Sequence, residues 1–307
     1  MGFISRLRLV LGAKTTRNSV ELADLTKAWL LFALRRNQVP ADEEAFVAEL
    51  RAIPERKLRQ GIQEELMLQI EDYASQYKES TSNHGKPPPF FTHVASSSIP
   101  TAGLGTFLSG AVDAGTVVGI HPGVAYAPHN WPEIPNYPEL SGNSFLSARF
   151  DRVCIDGAPF AERSLKTMRQ KHHQKVQHPL AAVQWSNHPA PPHSPNILPL
   201  AIDIPADRAS LLPLLAISNC RSTTFDPFLR MKTKTKKKIS STSKNGNENE
   251  VDHEYATGTF IKTLAYVAMR PLCDEELFLN YRLNPRQELP AWYVPVDVEE
   301  DNRRWSM

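Results

Sequence analysis

Cysteine is scarce in this 307-residue chain. Only Cys154, Cys220 and Cys273 are present, with no C-x-x-C pair among them. That spacing excludes a zinc knuckle, and so low a density excludes a disulfide framework. Free thiols in a reducing compartment are the expectation. Long apolar runs are missing too. The longest, residues 28–34, falls far short of the roughly 20 residues a membrane-spanning helix needs. No charge sign dominates: Lys+Arg 35 against Asp+Glu 33 leaves a net charge of +2. Binding of nucleic acid through bulk charge is therefore excluded, and no sequence-specific nucleic-acid contact is expected. The G-x-S-x-G elbow, the P-loop and H-E-x-x-H are all absent. His172, His173, His178, His188 and His193 crowd one region, but no Cys or carboxylate completes a ligand set, so no metal is expected.

Hydrophobic residues make up 41% of the chain, enough for a real core. Residues 1–80 read as a helical region. Its start carries Arg6, Arg8, Lys14 and Arg17 and no acid. That is compatible with a mitochondrial presequence and equally with an ordinary basic helix. Arg6 stands where a myristoylation signal wants Ser or Thr. Asn18 and Glu21 are spaced as a capping box, ahead of Leu22, Leu25, Trp29 and Phe32 on one helical face. Pro40 opens a second unit, with Ala45, Phe46, Leu50 and Ile53 as its apolar face. Pro54 opens a longer helix whose face is Leu58, Ile62, Leu66, Ile70 and Tyr73. A small helical bundle with solvated charged faces follows from this pattern.

A polar stretch with three consecutive prolines marks a linker at 81–91. Beyond it the texture turns to short β-rich runs, such as 116–120 and 152–155, separated by turn formers. Proline, 25 in all, concentrates in this half and argues against a doubly wound sheet. The fold class expected is α+β: an N-terminal helical region, then a mainly β domain over 92–283. Residues 230–254 carry a lysine run, a Ser/Thr/Asn stretch and an acidic end, with almost no apolar content. They are expected to be a disordered insertion. The lysines read as a nuclear signal, as an anion-binding tail or as part of a solvated spacer between two strands. Nucleus or cytoplasm is the compartment expected, with the mitochondrion as the alternative that the basic start leaves open.

Four segments carry the chemistry. The first is Gly103-Leu104-Gly105, followed by 113–123 ending in Gly123. The second runs from Asn143 to Gly157 and reads as strand, turn and strand. The third is Gln184-Trp185-Ser186-Asn187-His188-Pro189, running on to Pro195-Asn196. The fourth is Phe260 to Arg270, then Asp274-Glu275-Glu276-Leu277-Phe278-Leu279-Asn280-Tyr281. The first lacks the third glycine and the following helix of a dinucleotide fingerprint.

In this order and spacing, from Ser97 to Tyr281, the segments resemble the SET-domain methyltransferases. Within that family the chain is most similar to the divergent SET domain-containing protein nine type. That group shares the N-terminal helices, a stretch like His178-Pro179-Leu180-Ala181 and an Asp-x-Pro at Asp203-Ile204-Pro205. The resemblance implies small sheets around a pseudo-knot and S-adenosylmethionine (SAM) as methyl donor. It implies a protein or peptide substrate carrying a lysine. Gly103, Leu104 and Gly105 would set backbone against the amino-acid end of SAM. Asn187 and His188 would contact it near its amine and adenine. Tyr281 would lie beside the methyl group and orient the amine. His121 and Phe278 would line the substrate channel.

The chain departs from the family pattern at named places. The usual Asn-His-Ser-Cys reads Asn187-His188-Pro189-Ala190. Asp274 replaces a glycine before the two glutamates, and His121 stands where an aromatic is expected. No cysteine-rich segment follows Tyr281. Instead a tail, 284–307, is expected near the cofactor site, with Trp292 and Tyr293 as its cover. Three functions stay open at this point: a lysine methyltransferase, a SET-derived module that binds a peptide without turnover, and a methyltransferase of small molecules. The intact Tyr281 favours the enzyme, and the altered Asn-His segment favours the module.

Overall fold

The computed structural model describes residues 17–38, 42–82, 88–161, 179–205, 211 and 260–306. The basic start at 1–16, most of the linker, the basic histidine-bearing stretch at 162–178, Cys220 and the insertion at 230–254 lie outside the described residues.

Three helices come first among the described residues: α1 (Arg17–Arg35), α2 (Glu43–Ala52) and α3 (Glu55–Ser82). Helix α1 begins at Arg17, ahead of the expected cap at Asn18. Helix α2 is capped by Asp42, whose carboxylate accepts the Ala45 N–H at 2.9 Å. Pro54 precedes α3, and its carbonyl accepts the N–H groups of Lys57 and Leu58. The apolar face of α3 is as the helical period requires: Leu58, Ile62, Leu66, Ile70 and Tyr73 are all buried. Its polar positions are not all solvated, however. Glu65 is only 4% exposed, held between Arg35, Arg36 and Gln69.

Among the described residues that follow, ten strands form three antiparallel sheets. The first pairs β1 (Phe90–Ser96), β2 (Leu104–Val112) and β10 (Glu276–Leu277), with β9 (Leu272–Cys273) also on β2. The second has the order β3 (Val117–Ile120), β8 (Phe260–Ala268), β7 (Ile197–Pro205). The third has the order β4 (Val124–Tyr126), β6 (Cys154–Asp156), β5 (Leu146–Ala148). Strands β7 and β8 pair along their whole length, from Ile197 opposite Ala268 to Pro205 opposite Phe260. The segment that contains 230–254 therefore joins two partners of one ladder.

Helix α3 lies across the second sheet and closes both of its edges. Gln69 accepts the Val117 N–H at 2.8 Å and donates to the Gly115 carbonyl at 3.0 Å, on the β3 side. Gln63 accepts the Asp203 N–H at 3.0 Å and donates to the Asp203 carbonyl at 2.6 Å, on β7. Each side-chain amide thus takes the place of a missing neighbour strand. One apolar core joins the helices to the sheets, running from Leu31 and Leu66 through Ile202 and Val267 to Leu277. Arg149 ties the third sheet to the second. Its buried guanidinium donates to the carbonyls of Ile202 and Thr263 at 2.7 and 2.8 Å, and to Asp203 at 2.6 Å. A short helix, α4 (Val298–Trp305), ends the described chain and packs on α1. Among the described residues no helix is long and apolar enough to cross a membrane.

Candidate functional site

The segment after β10 is gripped from both sides. Phe278 pairs in parallel with Asn187, and Leu279 pairs in parallel with Ile197. The Leu279 N–H donates to the Asn187 carbonyl at 2.9 Å, and the Asn196 N–H donates to the Phe278 carbonyl at 3.1 Å. Asn196, 1% exposed, uses its side chain as a second clamp. It accepts the Phe278 N–H at 2.7 Å and donates to the Glu276 carbonyl at 2.8 Å. An apolar side chain at 196 would leave both of those buried groups unpaired, which is the physical reason for an amide here.

Around this clamp the glycine loop, the Asn-His segment and the Glu-Glu segment meet. The Asn187 amide donates to the Leu104 carbonyl at 2.9 Å and to Glu276 at 3.4 Å. Glu276 is 4% exposed and accepts from the Ser97 hydroxyl at 2.7 Å, the Ser98 N–H at 2.7 Å and the Ser98 hydroxyl at 2.5 Å. Its carboxylate fills the space over Gly105. Gly103 is different: it is exposed, holds φ +76° and has nothing within 4 Å of where a β-carbon would stand. A left-handed φ favours glycine there.

His188 and Tyr281 form the adjoining half. The His188 Nε2–H donates to the Val294 carbonyl at 2.8 Å, while Nδ1 accepts the Tyr281 N–H at 3.3 Å. Burial pushes the imidazole pKa down, by more than the carbonyls of Val294 and Leu279 pull it up. Tyr281 is 39% exposed, but its hydroxyl turns inward and donates to the Ser186 carbonyl at 3.1 Å. Burial pushes that phenol up, and the His188 backbone N–H offsets only part of the rise. The tail folds back over this pair. The Tyr293 ring lies 4.4 Å from His188, and Trp292 meets Tyr281 edge-on at 6.1 Å. Trp292 remains 58% exposed.

Tyr281 and Trp292 border an open cleft of about 1010 Å³, which also touches His121, Phe145, Gln184 and Tyr266. His121 is 2% exposed, and its Nδ1 shares a hydrogen bond with the Tyr266 hydroxyl at 2.9 Å. Burial lowers the His121 pKa to about 4, so the ring is neutral at pH 7. Burial likewise raises the Tyr266 phenol.

Of the residues singled out by sequence, Leu104, Gly105 and Asn187 are in one bonded cluster. His188 and Tyr281 are beside it, and His121 borders the cleft. Gly103 lies at the outer edge of the loop. Phe278 is not on the cleft: it is buried against His193, with ring centroids 4.9 Å apart. Leu279, Asn280 and Tyr281 all border the cleft, and Phe278 does not. Asn196, Glu276 and Tyr266 were not assigned roles by the sequence. All three stand inside the motif segments, Asn196 at the end of the third and Tyr266 and Glu276 in the fourth. Comparisons with protein-family models, with curated proteins and with solved structures find no match.

Proposed function

We propose that this chain is a SAM-dependent methyltransferase of the SET type that methylates a lysine amine in a protein, with Tyr281 orienting that amine. One observation carries the reading: the glycine loop, Asn187-His188 and Glu276 to Tyr281, far apart in sequence, are interlocked by hydrogen bonds at one place. The three small sheets and the parallel pairing of Phe278 and Leu279 between Asn187 and Ile197 agree with a pseudo-knotted domain.

The residues present fit the methyl donor. Gly103 leaves open space over its backbone. Trp292 offers an exposed indole face near His188, suited to stacking on an adenine. Gly103, Leu104 and Gly105 would hold the amino-acid end, and Asn187 and His188 the region of the amine and adenine. Bound SAM supplies an electrophilic methyl group on a sulfonium. The chain's own residues supply position and protonation state. Displacement at a methyl group needs an aligned lone pair, so orientation provides much of the rate. A free lysine has a pKa of about 10.4. The cleft wall of Phe145, Leu279 and Tyr266 disfavours the charged ammonium by desolvation. The Tyr281 hydroxyl, protonated at neutral pH, accepts an N–H of the amine without competing as a nucleophile.

A second reading has its own support: a peptide-binding module without turnover. The space over Gly105 is filled by Glu276, and the Tyr281 hydroxyl is engaged by Ser186. Calorimetric titration of SAM into the purified chain, wild type beside Asn187→Ala, separates the two. Micromolar binding that Asn187→Ala weakens supports the enzyme. A folded wild-type chain with no detectable binding overturns it and leaves the module.

A further inference from the structure

Arg282 follows Tyr281 and holds φ +52°, a backbone region costly for a residue with a side chain. Its guanidinium explains how that conformation persists. It forks onto Asp24 of helix α1, with Nη1 to Oδ2 at 2.9 Å and Nη2 to Oδ1 at 2.8 Å. Nη2 also lies 3.0 Å from Glu300 of helix α4. Arg304 of the same helix reaches Asp24 at 3.1 Å and Glu300 at 3.3 Å. The Trp305 indole donates to the Arg282 carbonyl at 2.9 Å, and the Arg282 N–H donates to Asn280 at 3.1 Å. Side chain, carbonyl and N–H of Arg282 are therefore all held, two of them by helices that contain none of the motif residues.

Tyr281 has weaker anchors of its own. Its N–H reaches His188 over 3.3 Å, and its hydroxyl reaches Ser186 over 3.1 Å. The strong anchor on this stretch is the fork next door. We propose that Asp24 is a positioning residue for Tyr281: by fixing Arg282 in its left-handed conformation, helix α1 sets where the Tyr281 hydroxyl points in the cleft. Asp24, Tyr281, Arg282, Arg304 and Trp305 all border that cleft, so the N-terminal helix is part of the working site and not a separate appendage. Burial alone would raise the Asp24 carboxyl, but Arg282 and Arg304 outweigh it and hold the group ionised.

The inference rests on the methyltransferase reading, and its test has one readout independent of activity. In the full chain, Asp24→Asn keeps the size and removes the charge. It should leave SAM affinity and the KM for a lysine peptide nearly unchanged and lower kcat by about tenfold or more, as a displaced orienting group does. Arg282→Ala should lose at least as much, and added methylguanidinium should restore part of it. A role in folding alone predicts neither the split between kcat and KM nor the rescue. Independently, with 3-fluorotyrosine incorporated, the 19F resonance assigned to Tyr281 through Tyr281→Phe should shift and broaden in Asp24→Asn. If the wild type shows no methyl transfer, the enzyme reading fails and the 19F result still decides whether Asp24 positions Tyr281. A folded Asp24→Asn with an unmoved resonance overturns the proposal, as does unchanged kcat in an active enzyme. Should Asp24→Asn not fold, Arg282→Lys, which keeps the charge and loses the fork, is read by the same measurements.

Discussion

Glu276 lies over Gly105, and its carboxylate occupies the space that a side chain at 105 would need. The same carboxylate holds Ser97, Ser98 and Asn187. Gly105→Ala must therefore displace a hub of buried charge-assisted hydrogen bonds. The expected cost is at least about 2 kcal/mol of stability, with loss of SAM binding. Gly103→Ala meets open space and carries only the strain of φ +76°, about 1 kcal/mol. Denaturant unfolding of the two variants side by side checks the order. Equal costs would contradict it.

The two glutamines of α3 give a second ranked pair. Gln69→Met strands the Gly115 carbonyl and the Val117 N–H in a buried place, at about 2 kcal/mol or more. Gln63→Met frees the Asp203 backbone at a half-buried edge that water can reach, at about 1 kcal/mol or less. Shifts in urea midpoint should follow that order, and a reversed order would refute the account of the sheet edges.

Those glutamines also show where sequence stops being legible. The apolar face of α3 repeats with the helical period, so Leu58 to Tyr73 could be read directly. Gln63 and Gln69 stand on the same helix, but their partners lie in strands distant in sequence, and nothing local marks them. Glu65 reads as one more solvated charge until Arg35 and Arg36 close over it. The ordered motifs bring out Leu104, Gly105, Asn187, His188 and Tyr281 as one group, because each segment keeps its own short pattern. Membership of a motif does not say which way a residue faces: Phe278 stands in the closing motif, yet it packs on His193 and does not border the cleft. The Asp24–Arg282 fork joins the two ends of the chain and has no local signature.

Neutral His121 makes stability depend on pH with a definite sign. Its folded pKa is about 4, below the ordinary value of about 6.5. The unfolded chain therefore takes up a proton that the folded chain resists. The contribution is complete above pH 6.5 and is lost as pH falls toward about 4. Between pH 6.5 and 5 it amounts to about 1.5 kcal/mol. Unfolding free energies of wild type and His121→Gln over that interval check it: the wild type should fall more steeply. Parallel curves would mean that His121 takes up its proton as readily in the folded protein as in the unfolded chain.

Tyr281→Phe tests the orienting role itself. The substitution keeps the ring beside His188 and removes the hydroxyl bonded to Ser186. SAM affinity should stay nearly intact and turnover should fall by about tenfold or more, about 1.4 kcal/mol in the barrier. The pH profile makes the test sharper. Burial raises the Tyr281 phenol above its ordinary value, so it remains protonated across the working range. Rising pH then acts through the substrate amine, and kcat/KM should climb through pH 9 without a descending limb from Tyr281. Tyr281→Phe should keep that ascending limb at a lower level. A variant that loses the limb would make Tyr281 the titrating base instead of the orienting group, and unchanged turnover would remove it from the mechanism.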